Sequence, residues 1–234
     1  MLVDMHVHTK EVSACGKVEA RRVVRLYAEK GYDAVVITNH LNGSTRYLHE
    51  APDWDAFIDS YLAPVREARD EGEKVGVRVF WGVELRFENG CNDYLLYGIS
   101  EETLRAHSEL RTLKLKQLRK LADEEGFLIF QAHPFRTGMV VCEPALLDGI
   151  EVANGHPRHR SRNDFARLWA DVHGLKMTAG SDFHEEGDEA RGGLLFFRDI
   201  ADERELAKAL RDQDFRLIVS PTGGIDRHVP HDRE

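Results

Sequence analysis

Short apolar runs alternate along this chain with stretches whose apolar residues fall three and four apart. The runs predict strands: Leu2 to His8, Ala34 to His40, Arg78 to Phe87, Tyr94 to Ile99, Phe127 to His133, Gly149 to Asn154, Lys176 to Asp182, Gly193 to Phe197 and Phe215 to Val219. Helices fill most gaps. The first spans about Val18 to Lys30, with Ala20, Val23, Val24, Tyr27 and Ala28 at helical spacing and Gly31 placed as a C-terminal cap. A longer helix follows Ser100, a suitable N-cap with Glu101 and Glu102 behind it, and its stripe includes Leu110, Leu113, Leu118 and Leu121. The segment from Asp202 to Asp212 reads as a last helix. Leu41 to Ala68, with Tyr47, Trp54, Phe57 and Tyr61, predicts a cover over one side of the strands' C-terminal end, its aromatics chiefly packing a helix onto the strands, the alternative being to stack on a bound base or ring. Repeated strand and helix units give an α/β fold, either an open sheet or a barrel.

Polar residues at the strand ends favour the barrel. His6 and His8, His40, Glu84, His133, and Asp182 with His184 all fall at or near the C-terminal ends of predicted strands. An open sheet would spread them along a line, whereas a barrel gathers them at one mouth. Side chains two apart in a strand share a face, so His6 and His8 can converge, as can Asp182 and His184. Imidazoles and carboxylates converging from both ends of a chain point to a metal site. By the same parity Asp4 is expected on the histidines' face, orienting one of them from behind. Phe80, Gly82, Glu84 and Arg86 share another face.

Composition narrows the class. The 234 residues suit one large domain, 42% of them hydrophobic, and no apolar run approaches the ~20 residues of a membrane span. We expect one domain over 1–224 and a polar tail over 225–234. No signal-peptide pattern opens the sequence. Cys15, Cys91 and Cys142 are too few and scattered for a disulfide framework, so a cytoplasmic setting is expected, with Cys91 and Cys142 as packing residues. A net charge of −9 argues against long nucleic-acid partners.

Five motifs stand in order: Asp4-Met5-His6-Val7-His8-Thr9, Ile37-Thr38-Asn39-His40, Gly82-Val83-Glu84, Ala132-His133-Pro134 and Gly180-Ser181-Asp182-Phe183-His184. Together they resemble the PHP (polymerase and histidinol phosphatase) superfamily over most of the chain. The resemblance implies a distorted (β/α)7 TIM-like barrel with two or three divalent metal ions, Zn, Mn or Fe, at its mouth. It implies that His6, His8, Glu84 and Asp182 hold one metal, that Glu84 bridges to a second shared with His133, and that His40 and His184 serve a third. In the loop after the first strand Cys15 is the expected further ligand, with Glu11 behind it. Two departures from the family pattern stand out. Asn39 replaces a common aspartate, and Asp93 stands where many relatives place a histidine, so Asp93 is the candidate ligand there.

The implied chemistry is hydrolysis of a small phosphate ester by a metal-activated hydroxide. Histidinol phosphate and nucleotides are among the substrates that fit. Glu84, Asp182 and His184 are the expected catalytic residues. Lys10, Arg86, Arg136, Arg158, Arg160 and Arg162 are candidates to bind the phosphate, and His156 and His159 are candidates for extra metal ligands or substrate contacts. One alternative is a metal-dependent amidohydrolase, although Glu84 stands where that class usually bridges its metals with a lysine. The other is a degenerate, non-catalytic PHP module, which should have lost several ligands.

Overall fold

The computed structural model describes residues 1–219 and 226–227. Its elements are β1 (Leu2–Val7), α1 (Ala20–Glu29), β2 (Ala34–Ile37), β3 (His40–Leu41), α2 (Trp54–Val75), β4 (Arg78–Arg86), β5 (Asp93–Tyr97), α3 (Glu101–Ala106), α4 (Leu115–Glu125), β6 (Leu128–Gln131), β7 (Gly149–Asn154), α5 (Asn163–His173), β8 (Lys176–Gly180), β9 (Gly192–Phe196), α6 (Glu203–Asp212), β10 (Phe215–Val219) and β11 (Asp226–Arg227). Apart from Asp226 and Arg227, which pair with Val219 and Ile218, the expected polar tail lies outside the described residues.

Seven strands, β1-β2-β4-β5-β6-β7-β8, wrap into a nearly closed barrel, a distorted relative of the eightfold α/β barrel. Closure comes just past β8: His8 N–H donates to Phe183 O (3.0 Å) and Phe183 N–H to His6 O (3.2 Å). The other end of β1 pairs with β9, antiparallel, and β10 extends that edge. β1 therefore has two successive partners on one side. Gly180 permits this approach, because a Cβ there would sit 2.4 Å from that of His6. A second distortion is β5, antiparallel to both its neighbours.

Side-chain alternation sorts the core into two layers. Met5, Val36, Phe80, Leu95, Phe130 and Ala179 fill the barrel, while Val35, Ile37, Val79 and Trp81 face the helices with Val23, Phe57, Ile58 and Tyr61. Burying side chains of this size is worth roughly 1.5–3 kcal/mol each. Phe57 and Tyr61 of α2 are thus packing residues, whereas Tyr47 is 42% exposed.

Three local expectations change. In β1 the register to β2 slips by one residue between Asp4 and Val7. Such a bulge inserts one residue and reverses face parity beyond it. Asp4 is paired with outward-facing Val35 and takes the Tyr27 hydroxyl of α1 (2.8 Å), so it lies on the face opposite His6 and His8. The strand expected from Ala34 to His40 breaks at Thr38-Asn39, whose side chains bond to Val7, Thr9 and Ser13. The long helix expected after Ser100 is two helices with a 3-10 turn between them. The Trp54 indole N–H takes the Leu104 carbonyl at the end of α3 (2.9 Å), and Gln117 caps the start of α4 by accepting Lys114 N–H.

Candidate metal centre

The ends of β1, β4 and β6, the short strand β3, the start of β5 and the turn after β8 bring eight potential donor residues to one mouth. His6 Nε2 lies 3.1 Å from His8 Nε2. Glu84 Oε2 is 3.4 Å from His6 Nε2, 3.2 Å from His8 Nε2 and 2.8 Å from His40 Nδ1. Its other oxygen is 3.2 Å from His133 Nε2. Asp182 Oδ1 is 3.4 Å from both His6 and His8. The His184 ring lies 4.5 Å from that of His8, tilted by 32°. Three groups have donor atoms within 4.8 Å of one another: His6, His8 and Asp182; His8, His40 and His184; Glu84, Asp93 and His133.

The proton arrangement of the two β1 histidines tests whether a cation fits. Glu151 Oε1 is 2.9 Å from His6 Nδ1, and a carboxylate can only accept, so that nitrogen carries the proton. Asn39 Oδ1 is fixed as an acceptor by Thr9 N–H (2.8 Å), so Ser13 donates its hydroxyl to it (3.0 Å) and accepts from His8 Nδ1 (3.2 Å). Both Nε2 lone pairs then face each other at 3.1 Å. Two buried lone pairs at that distance repel unless a cation or proton lies between or beside them. Buried Glu84 Oε2, His40 Nδ1 and His133 Nδ1 also make no hydrogen bond. The residues therefore fit divalent metals, with imidazole and carboxylate donors suited to Zn, Mn or Fe.

Charge around the cluster tells the same story. Burial opposes charge on His6, yet Asp182, Glu151 and Glu84 outweigh it and raise the ring well above its ordinary value. His40 is raised against burial by Glu84 and by Cys15. His8 is lowered by burial and by the neighbouring His40 and His184. Burial also opposes charge on Glu84, but His40 and His6 hold its carboxyl well below the usual range. A site with this bias binds cations; protons on imidazole can serve only until a metal displaces them.

Backbone strain accompanies two of the donors. His133 (φ 29°) and Asp182 (φ 52°) occupy the left-handed region, costing about 1–3 kcal/mol each. Both are held by Glu151 and its neighbours. Glu151 Oε2 accepts His133 N–H and Asn154 Nδ2–H, each at 2.9 Å, and Asn154 Nδ2 also reaches Asp182 Oδ2 (3.2 Å). Glu151 is marked in the sequence only as an acid between Ile150 and Val152 in an apolar strand, and is not among the residues expected from it. It occupies the orienting position expected of Asp4, which instead accepts from His6 N–H, Ser181 N–H, the Ser181 hydroxyl and Tyr27.

The remaining candidates divide by their contacts. Cys15 is exposed and lies beside His184 and His40. Its surroundings partly desolvate it, which opposes ionisation, but the two imidazoles outweigh this and hold it at about 5. Glu11 caps α1 by accepting Ala20 N–H (2.9 Å). Asp93 takes a bidentate Arg86 while lying 3.8 Å from His133 Nε2. Arg136 donates to Asp182 Oδ2 (2.6 Å) and Asn154 Oδ1 (2.8 Å). Arg158 pairs with Asp188 and Glu185, Arg162 with the Phe135 carbonyl, and Lys10 with Glu19. Arg160 is exposed and makes no hydrogen bond or ion pair among the described residues. His156 packs 5.1 Å from the His184 ring and 4.5 Å from that of His159.

Residues 160–215, from the loop before α5 to the start of β10, match the family model described as PHP-associated. The whole barrel resembles a two-domain protein from Bacteroides vulgatus containing a predicted PHP-like metal-dependent phosphoesterase, with a TM-score of 0.67, 19% identity, and coverage of 94% of this chain and 65% of that one. The likeness covers the fold of the whole barrel, and the PHP-associated match covers its C-terminal part. The fold is also similar to that of PsfC from Pseudomonas syringae (TM-score 0.69, 17% identity, 95% and 92% coverage). It is shared also with the lesion-specific endonuclease PfuEndoQ from Pyrococcus furiosus (0.55, 15%, 90% and 56%). The chain thus spans just under two thirds of the Bacteroides protein and just over half of the endonuclease. No curated protein matches the sequence. Among the described residues, no helix is long and apolar enough to cross a membrane.

Proposed function

We propose that this chain is a PHP-type metal-dependent phosphoesterase acting on a small phosphate ester. The observation that carries the reading is the pair of His6 and His8 lone pairs facing each other at 3.1 Å, ringed by Glu84 and Asp182. His6, His8, Glu84 and Asp182 would hold one ion, Glu84, His133 and Asp93 a second, and His40, His184 and Cys15 a third. Bound metals would supply a hydroxide near neutral pH and offset charge on phosphoryl oxygens.

The chain's own residues set the geometry. Glu84 turns one oxygen to His6, His8 and His40 and the other to His133, as a bridging carboxylate must. Arg136 and Asn154 hold Asp182 by Oδ2, which leaves Oδ1 facing the two β1 histidines. Arg160, exposed and unpaired among the described residues in the loop after β7, would be the cation that meets a substrate anion. The carboxylate at position 84 supports this reading over an amidohydrolase, and the completeness of the donor set supports it over a non-catalytic module. Three free thiols support a reducing, cytoplasmic setting.

The test is elemental analysis of protein purified without chelator, with a panel of histidinol phosphate, nucleoside monophosphates and short oligonucleotides. At least two metal equivalents and turnover of a monoester are expected, with both reduced by Glu84→Gln. Hydrolysis that survives His8→Ala would overturn the mechanism. Cleavage of oligonucleotides alone would move the substrate class toward nucleic acid, and failure to retain metal under several loading conditions would favour a non-catalytic module.

A further inference from the structure

Helix α5 is apolar on two faces. Ala166 and Ala170 are buried toward the barrel, whereas Phe165, Leu168 and Val172 are 54, 61 and 69% exposed. They make up half of the six most exposed large apolar side chains among the described residues, so this is a concentrated stripe. At about 100° per residue, Leu168 stands opposite the buried alanines. Phe165 and Val172 flank it on one side, and Arg167 and Asp171 on the other.

We infer that α5 is the contact helix of a homodimer, packed antiparallel on α5 of a second copy about a two-fold axis at Leu168. The stripe is its own complement under that operation. Leu168 meets Leu168, Phe165 of each copy meets the partner's Val172, and Arg167 lies beside the partner's Asp171. The two charged residues are on the same flank, as the axis requires. Within one chain their heads are 3.7 Å apart and partly exposed, so both are free to turn to a partner. A single helix pair is a small interface, and the association is expected in the micromolar range.

Sedimentation of the full chain over about 1–200 µM, the range in which small interfaces dissociate, tests the inference. A monomer–dimer equilibrium is expected, weakened at least about tenfold by Leu168→Glu, as for a central apolar contact. Circular dichroism should not change, because the side chain is already in water. Arg167→Asp and Asp171→Arg should each weaken self-association, and an equimolar mixture of the two should restore it. The mixed pair sets Asp against Arg at both contacts, which an attraction within one chain could not produce. A chain monomeric throughout, a dimer indifferent to Leu168→Glu, or a mixture no tighter than its components would overturn the inference.

Discussion

Glu151 joins two histidines of the candidate metal centre, one in β1 and one just past β6: one oxygen takes His6 Nδ1–H and the other takes the backbone N–H of His133, each at 2.9 Å. The first contact fixes the tautomer that points the His6 lone pair at the cluster. The second holds a residue in left-handed backbone. Removing groups that sit behind a metal ligand typically costs 10–100-fold in affinity. Glu151→Gln should therefore weaken metal binding by about that factor, read by competition with a chromogenic chelator. Unchanged affinity would mean that His6 needs no partner behind it.

Much of this candidate site was legible because potential metal ligands in a barrel stand at strand ends, where an apolar run stops. His6, His8, Glu84, His133 and Asp182 all carry that mark, and they come together at one mouth. Other features left no trace. The bulge between Asp4 and Val7 changes neither composition nor periodicity over so short a strand, yet it sends Asp4 to the opposite face. The antiparallel setting of β5 depends on how β4 turns back, and Asp93-Tyr94-Leu95 reads the same in either direction. The break before α4 depends on Trp54, 50 residues earlier in sequence than the carbonyl it binds.

Asp4 should leave a signature in the pH dependence of stability. Burial pushes its carboxyl from 3.8 up to about 6, against the pull of Ser181, His6 and Tyr27. Between those values the folded chain keeps a proton that the unfolded chain has released, so stability falls as pH rises through the window and levels off above it. Glu84 and Asp182, held low, act with the opposite sign and at lower pH. Urea unfolding of wild type and Asp4→Asn isolates the term. The wild-type advantage should shrink by roughly 2–3 kcal/mol from pH 4 to pH 7. A difference independent of pH would show that Asp4 is already ionised in the folded chain.

Cys15 offers a chemical probe of the third group of donors. A thiol held at about 5 and open to solvent is largely thiolate at neutral pH, whereas burial raises Cys142 above its ordinary value. Iodoacetamide at pH 7 should modify Cys15 of the metal-free chain well before Cys142. Loading with Zn should protect Cys15 selectively, because a coordinated thiolate loses its nucleophilic lone pair. Equal labelling of the loaded and stripped chain, read by peptide mass spectrometry, would remove Cys15 from the ligand set.

Arg158 and Arg160 are two residues apart and should behave differently. Arg158 is committed to Asp188 and Glu185, and Asp188 in turn accepts the backbone N–H groups of His184 and Glu185. Its loss should loosen the turn that carries His184. Arg160 is exposed and unpaired among the described residues, so only a bound anion gives it work. Arg160→Ala should raise KM several-fold, by about 1 kcal/mol of lost charge-assisted hydrogen bonding, with kcat and thermal stability unchanged. Arg158→Ala should instead lower Tm and metal affinity together. Steady-state kinetics on the best substrate of the panel, beside melting curves, separates the two. If Arg160→Ala left KM unchanged, the phosphate would have to be held from another side of the mouth, where Arg136 is the nearest cation to the Asp182 carboxylate.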